Sequence, residues 1–435
     1  SGTIATDSTW SLAGSPYAVT GTILVSDGAT LSIDSGVVVR FQSNLGMEIR
    51  GSLYAYKCIF TSDAATPAKG DWNEIRVGNA TDADAGTAEF YGCLIEYGGH
   101  STKDDGYGML VVERGTATLE DNCEVMRSNN AGIVTAIQGS VQLTNTVVSA
   151  SDRPIVYNGP GSVEFNGGNT LTGNSSDVMY INFSENTNFF QLDTVGIPFE
   201  FAREYTIGSG GTLQIDTGNV MRMKSYLRIR GGVLNAYYTT FTSASTPKEK
   251  GDWQRIEVGY SSDPGEANFW GSVIEYGGYS SQSINNAMID VTRGSANFYD
   301  HCRVQHSNNV GIRISTAGQV NLSNSTVTGN SWPILYSGPG SLVFNGDNDL
   351  TGNTQDAVHV RFRTLSSDFL LDTIYIPYYF YSSFTIYEGN TLEIASGNII
   401  KTPSHFYVDG ALRAVAGEGE WIYFTADEDD NLWGD

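Results

Sequence analysis

Two carboxylates that occur twice are the first residues able to do chemistry. Asp71 and Glu96 return as Asp252 and Glu275, and carboxylates roughly 5 to 10 Å apart on neighbouring segments act as acid and base in glycosidic cleavage. Asp71 and Asp252 each stand directly before a Trp, where a turn aspartate commonly bonds its own backbone. The competing reading is therefore structural, with these two capping turns and Glu96 and Glu275 sitting at corners. Arg114/Arg293, Asp177/Asp356 and Asp193/Asp372 are the other ionisable pairs. None of His100, His301, His306, His359 and His405 has such a counterpart, which argues against histidine catalysis.

Aromatic residues recur as well. Trp72/Trp253, Tyr91/Trp270 and Tyr97/Tyr276 offer flat apolar faces suited to sugar rings. Packing beneath loops or inside the fold is the alternative use of the same rings. Asp82, Asp84, Asp104 and Asp105 suit Ca2+ by residue type, but the second copy offers Ser262, Asp263, Ser283 and Asn285. Solvated loop charge is therefore preferred, and no metal or other cofactor is expected. The four cysteines form neither a disulfide framework nor a CxxC or Cys/His motif. Cys58 and Cys93 change together into Thr239 and Ser272, a hint of contact, yet side chains stacked in register point side by side, so buried free thiols are expected.

A repeat must position these residues. GDWNEIRVG from Gly70 returns as GDWQRIEVG from Gly251, and FYGCLIEYGG from Phe90 returns as FWGSVIEYGG from Phe269. SNNAGI from Ser128 returns as SNNVGI from Ser307, and NGPGSVEFNGGNTLTGN from Asn158 as SGPGSLVFNGDNDLTGN from Ser337. A third copy begins: Pro16, Pro198 and Pro377 correspond, as do ATLSIDSG, GTLQIDTG and NTLEIASG from Ala29, Gly211 and Asn390. The chain thus holds two and a half tandem units of about 180 residues, 1–196, 197–375 and 376–435. The third unit stops at Asp435, and the chain opens on Ser1. An excerpt of a longer array is expected, whose native intact mass exceeds 47 kDa.

A finer period lies within each unit. Cys58, Cys93, Cys123 and Thr146 precede short apolar runs at separations of 35, 30 and 23, and Thr239, Ser272, Cys302 and Ser325 do so at 33, 30 and 23. Runs such as GMLVVERGTATL and SVQLTNTVV read as strands between Gly, Asn, Asp and Ser turns, and no window keeps a 3.6-residue spacing. Small residues at one place in each rung favour parallel stacking over a meander, because like positions then lie about 4.8 Å apart and Asn can bond along the stack. The expected fold is all-β: one continuous parallel β-helix over 1–435, of about 20 rungs and roughly 90 to 100 Å. Loop insertions are expected at 61–69, 79–87 and 99–107.

With Trp10, Ser15, Pro16 and Tyr17 opening a unit, followed by GTILVSDGATLSIDSGVVVRF and later by GDW and IEYGG, the chain resembles the right-handed parallel β-helix repeat proteins of the pectin-lyase-like class. It is most similar in pattern to their large secreted or surface members in bacteria. The resemblance covers essentially the whole chain and implies a fold, not an activity. Polygalacturonase-like members carry N-T-D, D-D, G-H-G and R-I-K segments. Here Asp104-Asp105 and Gly99-His100 lack the matching neighbours, and Arg228-Ile229-Arg230 replaces the last. Pectate-lyase-like members need an acidic Ca2+ cluster and an R-x-P-x-x-R arginine; Arg153-Pro154 matches only in part, and Trp332 replaces Arg153 in the second copy.

Composition narrows the partners. With 48 Asp+Glu against 24 Lys+Arg, the net charge of -24 disfavours nucleic acid and anionic lipid. No run approaches the ~18 apolar residues of a membrane span, so no membrane insertion is expected. Charged residues make up 17%, below the ~25% of an average domain, and Gly is abundant. These features point to a secreted or cell-surface protein. The expected function is an extracellular structural or adhesive rod or stalk, presenting a repeated surface to a polysaccharide, a cell or further copies of itself. Two alternatives are a polysaccharide lyase or glycoside hydrolase acting in a lateral groove, and a non-catalytic carbohydrate-binding module.

Overall fold

The computed structural model describes residues 2–81 and 84–426; Asp82 and the Gly434–Asp435 end of the third sequence unit lie outside these. The described chain is an all-β, right-handed parallel β-solenoid of about 18 turns. Its 3-10 turn at Leu12–Gly14 is brief. Loop-bearing turns take more residues, as between Ile75 and its partner Leu110. Two compact units are distinguished: Ser1–Phe183 with Asp193–Ala202, and Ser184–Leu192 with Arg203–Asp435.

Alternation along each strand decides which side chains enter the coil. In the first unit Ile23, Met47, Ile75, Leu110, Ile133, Ile155, Met179 and Phe199 pair in register as one inward column. The second unit answers with Tyr205, Leu227, Ile256, Ile289, Ile312, Ile334, Val358 and Tyr378. All of these side chains are buried. Truncating one to Ala removes contacts with the turns on both sides and costs about 2–5 kcal/mol.

The small residues that recur once per turn mark a corner with a common recipe. A residue with positive φ comes first: Lys57, Gly92, Asn122 and Asn145 in the first copy, Tyr238, Gly271, His301 and Asn324 in the second, all between 45° and 64°. The next side chain then donates to a main-chain carbonyl. Cys93 Sγ reaches Ala55 O at 3.3 Å, Thr146 Oγ1 reaches Leu119 O at 3.0 Å, Ser272 Oγ reaches Ala236 O at 3.1 Å and Cys302 Sγ reaches Phe269 O at 3.3 Å. Cys, Ser and Thr interchange here because each supplies one donor in the space of one small group. All four cysteines, Cys58 and Cys93 included, are buried free thiols. Burial pushes the Cys302 thiol up to about 11, which keeps it protonated and unreactive.

Outward columns stack by a second rule, that polar neighbours must complement one another. Asn235, Asn268 and Asn297 of successive turns form a ladder, with Nδ2 to Oδ1 distances of 3.0 and 2.8 Å. Glu74 and Arg76 of the first copy become Arg255 and Glu257 in the second, a reciprocal exchange that preserves pairing. Glu74 bonds His100 at 2.8 Å, and Arg255 bonds Asp290 at 2.6 Å.

One outward residue has no polar complement. His359 stacks between Leu335 and Tyr379 of adjacent turns, is only 2% exposed, and lies 4.6 Å from the Trp332 ring. Neither ring nitrogen has a hydrogen-bond partner. Burial, reinforced by the Arg361 charge, lowers its pKa to about 4. The folded protein therefore keeps His359 neutral, whereas the unfolded chain takes up a proton near pH 6.5. Its contribution to stability is complete above about pH 6.5 and is lost as the pH falls towards about 4. Denaturant titrations between pH 7 and 4 should show the wild type losing up to about 1.4 kcal/mol per pH unit relative to His359→Phe; parallel curves for the two proteins would refute this.

Candidate functional site

Asp71, Trp72, Glu96 and Tyr97 gather around one loop, as do Asp252, Trp253, Glu275 and Tyr276, whereas Tyr91 and Trp270 end the strands Gly86–Tyr91 and Gly265–Trp270. Asp71 Oδ2 accepts from Ser62 Oγ at 2.6 Å and from the Ala68 N–H at 2.8 Å. Asp252 accepts from Ser243 Oγ and from the Glu249 N–H at 2.8 Å. Each aspartate thereby fastens the loop that precedes it. Trp72 and Trp253 are fully buried, and their indole N–H groups donate to the carbonyls of Glu96 and Glu275, both at 2.9 Å. Trp72 also stacks on Phe41, with centroids 4.3 Å apart. A buried ring offers no face to a ligand, so of the two readings of Trp72 and Trp253 their burial supports packing. This contact ties GDW to IEYGG: a Cβ added at Gly98 or Gly277 would lie 2.7 Å from the indole.

Glu96 accepts from Thr61 Oγ1 at 3.2 Å and Arg127 Nη1 at 2.7 Å. Glu275 accepts from Thr242 Oγ1 at 2.8 Å and Gln305 Nε2 at 2.9 Å, with Lys248 Nζ at 3.4 Å. Burial pushes the Glu275 pKa up, but the bonds from Gln305 and Thr242 and the Lys248 charge outweigh it and hold the group below its ordinary range. A general acid requires the opposite shift. Tyr97 and Tyr276 are half-buried, beneath Arg127 at 5.4 Å and Lys248 at 5.6 Å. Tyr91 donates to Glu89 at 2.9 Å. Trp270 is stacked with Tyr237 at 4.6 Å and Tyr299 at 5.4 Å.

Arg153, the partial match to a lyase arginine, lies 3.9 Å over the Tyr180 ring and pairs with Asp105 at 2.5 Å. Of the acidic residues weighed for Ca2+, Asp104 accepts from the Gly106 N–H at 2.8 Å and Asp84 lies 3.5 Å from Arg50. Among the described residues no group of three His, Cys, Asp or Glu is placed to hold a metal ion.

A concave site forms instead at the duplicated strings FNGGNTLTGN from Phe165 and FNGDNDLTGN from Phe344. In the first unit a groove of about 420 Å³ opens between residues 165–172 and 194–197; in the second, one of about 410 Å³ opens between 344–351 and 372–376. The linings are equivalent: Phe165/Phe344, Asn169/Asn348, Leu171/Leu350, Thr172/Thr351, Val195/Ile374 and Ile197/Ile376. The cause lies in the sheet. Its ladder narrows here to one parallel bridge, Val147 with Thr170 and Thr326 with Asp349. The next segment runs as a loop into Pro198 or Pro377, whose rings carry no N–H. Leu350, Ile374 and Ile376 form an apolar floor, and Asn348, Thr351 and Thr373 a polar rim. Four positions distinguish the copies: Gly168 becomes Asp347, Thr170 becomes Asp349, Val195 becomes Ile374, and Gly196 becomes Tyr375. The duplicated LTGN string and the Asp193/Asp372 and Pro198/Pro377 pairs were the sequence signal for this site.

The buried role of the tryptophans has a direct check. Trp253→Ala should lower unfolding free energy by about 3–5 kcal/mol in denaturant titrations, through the cavity beneath the loop. An unchanged midpoint would refute the packing role.

No family model matches the chain, and no curated protein matches it. Among solved structures, "Crystal structure of TibC-catalyzed hyper-glycosylated TibA55-350 fragment" aligns with 93% of this chain and 98% of its own, at 10% identity and a TM-score of 0.21. A superposition that loose carries no argument about fold or function.

Proposed function

We propose that the protein is an extracellular structural or adhesive β-helical rod or stalk that presents a repeated lateral surface to a polysaccharide, a cell or further copies of itself. The observation that supports this is the recurrence of one groove from equivalent residues in each unit, at about 420 and 410 Å³. Two like sites on one chain convert weak single contacts into avidity, because the second contact forms at high effective concentration. The acids that would serve a hydrolase or lyase are otherwise engaged: Asp71 and Asp252 fasten loops, and Glu96 and Glu275 are bonded to the turns beside them. Reducing ends and unsaturated uronates should stay at background when the protein is incubated with a panel of plant, algal and bacterial polysaccharides. Clear turnover, abolished by Asp71→Ala or Glu96→Ala, would overturn the proposal.

A further inference from the structure

Resting on that display reading, we infer that each repeated groove is a binding site for neutral carbohydrate and that Tyr375 makes the second groove the stronger. In both grooves the floor is aliphatic and the rim carries hydroxyl and amide groups, with carboxylates added in the second. A pyranose ring presents the matching surfaces, apolar C–H faces and an edge of hydroxyls. Each volume lies within the range of about 300–1,000 Å³ typical of ligand sites.

Charge selects within the sugars. No Lys, Arg or His lines either groove, while Asp349 and Asp372 line the second. A uronate or sulfated chain would meet like charge without a compensating cation, whereas a neutral hydroxyl can donate to a carboxylate. Asp349 is already fixed as an acceptor, its Oδ1 receiving the Thr351 N–H at 2.9 Å and the Thr351 hydroxyl at 2.7 Å. A site held in place before binding gives up less freedom on complex formation.

Tyr375 supplies an exposed aromatic face of the kind that the buried Trp72 and Trp253 lack. It lines the second groove and is 76% exposed. Gly196 occupies its place in the first groove, and a Cβ added there meets nothing within 4 Å. The first groove thus has an equivalent aliphatic floor, a rim without the carboxylates, no ring, and space for one.

The test is calorimetric titration and array binding of the full chain with neutral gluco-, manno- and galacto-configured oligosaccharides, alongside oligouronates and a lysine-rich peptide as charged controls. The wild type should bind a neutral oligosaccharide at one dominant site. Tyr375→Ala should weaken it by about tenfold, and Gly196→Tyr should add a second site of similar strength. Unchanged melting temperatures would show that both variants fold. Absence of neutral sugar binding, preference for the oligouronates or the peptide, or insensitivity to both substitutions would overturn the inference. If the chain binds cells or its own copies through the grooves, as shown by loss on Thr373→Trp, yet binds no sugar, the sugar inference falls and the display reading survives.

Discussion

Register between successive turns is the constraint on which everything else depends. In a parallel solenoid the main-chain N–H and C=O groups of a strand find partners only on the turns before and after it, and a backbone group left unpaired away from water costs as much as a lost hydrogen bond. Ile75 is held at once by Met47 and Leu110, so a one-residue slip would turn an entire inward set outward. The left-handed corners fix that register. Several place a small donor side chain under a carbonyl of the neighbouring turn, and the same geometry serves Cys123 and Cys302, Cys93 and Ser272.

This constraint explains which changes the two copies tolerate. Inside, one apolar residue replaces another of similar bulk, as Leu110 and Ile289 show. At corners, donors replace donors. On the outer face, charges move in pairs: Glu74 and Arg76 become Arg255 and Glu257, so each acid retains a guanidinium nearby. Removing one partner of such a pair would leave a charge partly desolvated and uncompensated, which is costlier than exchanging both. The exchange of Arg153 for Trp332 follows the same logic. An arginine over Tyr180, paired with Asp105, is replaced by an indole beside His359, and a charged stack becomes an aromatic one.

The coil was legible because its period is written in small residues and in repeated strings. Parallel strands, near absence of helix, the Asn ladder and the buried free thiols all follow from stacking like on like. The purpose of individual residues was harder to read. Retained aromatics and acids look alike whether they bind a ligand or hold a loop, and only packing separates the two. Trp72 is retained because Gly98 leaves room for its indole and the Glu96 carbonyl accepts its N–H. The groove escaped notice for the opposite reason: Leu171, Val195 and Ile197 are ordinary aliphatics, and their concavity arises from a ladder that narrows to a single bridge, a property of pairing that no single residue announces.

Retention and function therefore separate in this protein. Residues common to both copies mostly solve the problem of stacking one turn on the next, because every turn faces that problem in the same form. Binding specificity needs exposed positions where the backbone is the same and the side chain is free to differ. Position 196 and its counterpart 375 meet both conditions, with an equivalent groove floor, open space at the glycine and an exposed ring at the tyrosine. A solenoid that duplicates a groove and then varies its rim gains two related concave surfaces from one architectural solution, and its core need not change for them to diverge.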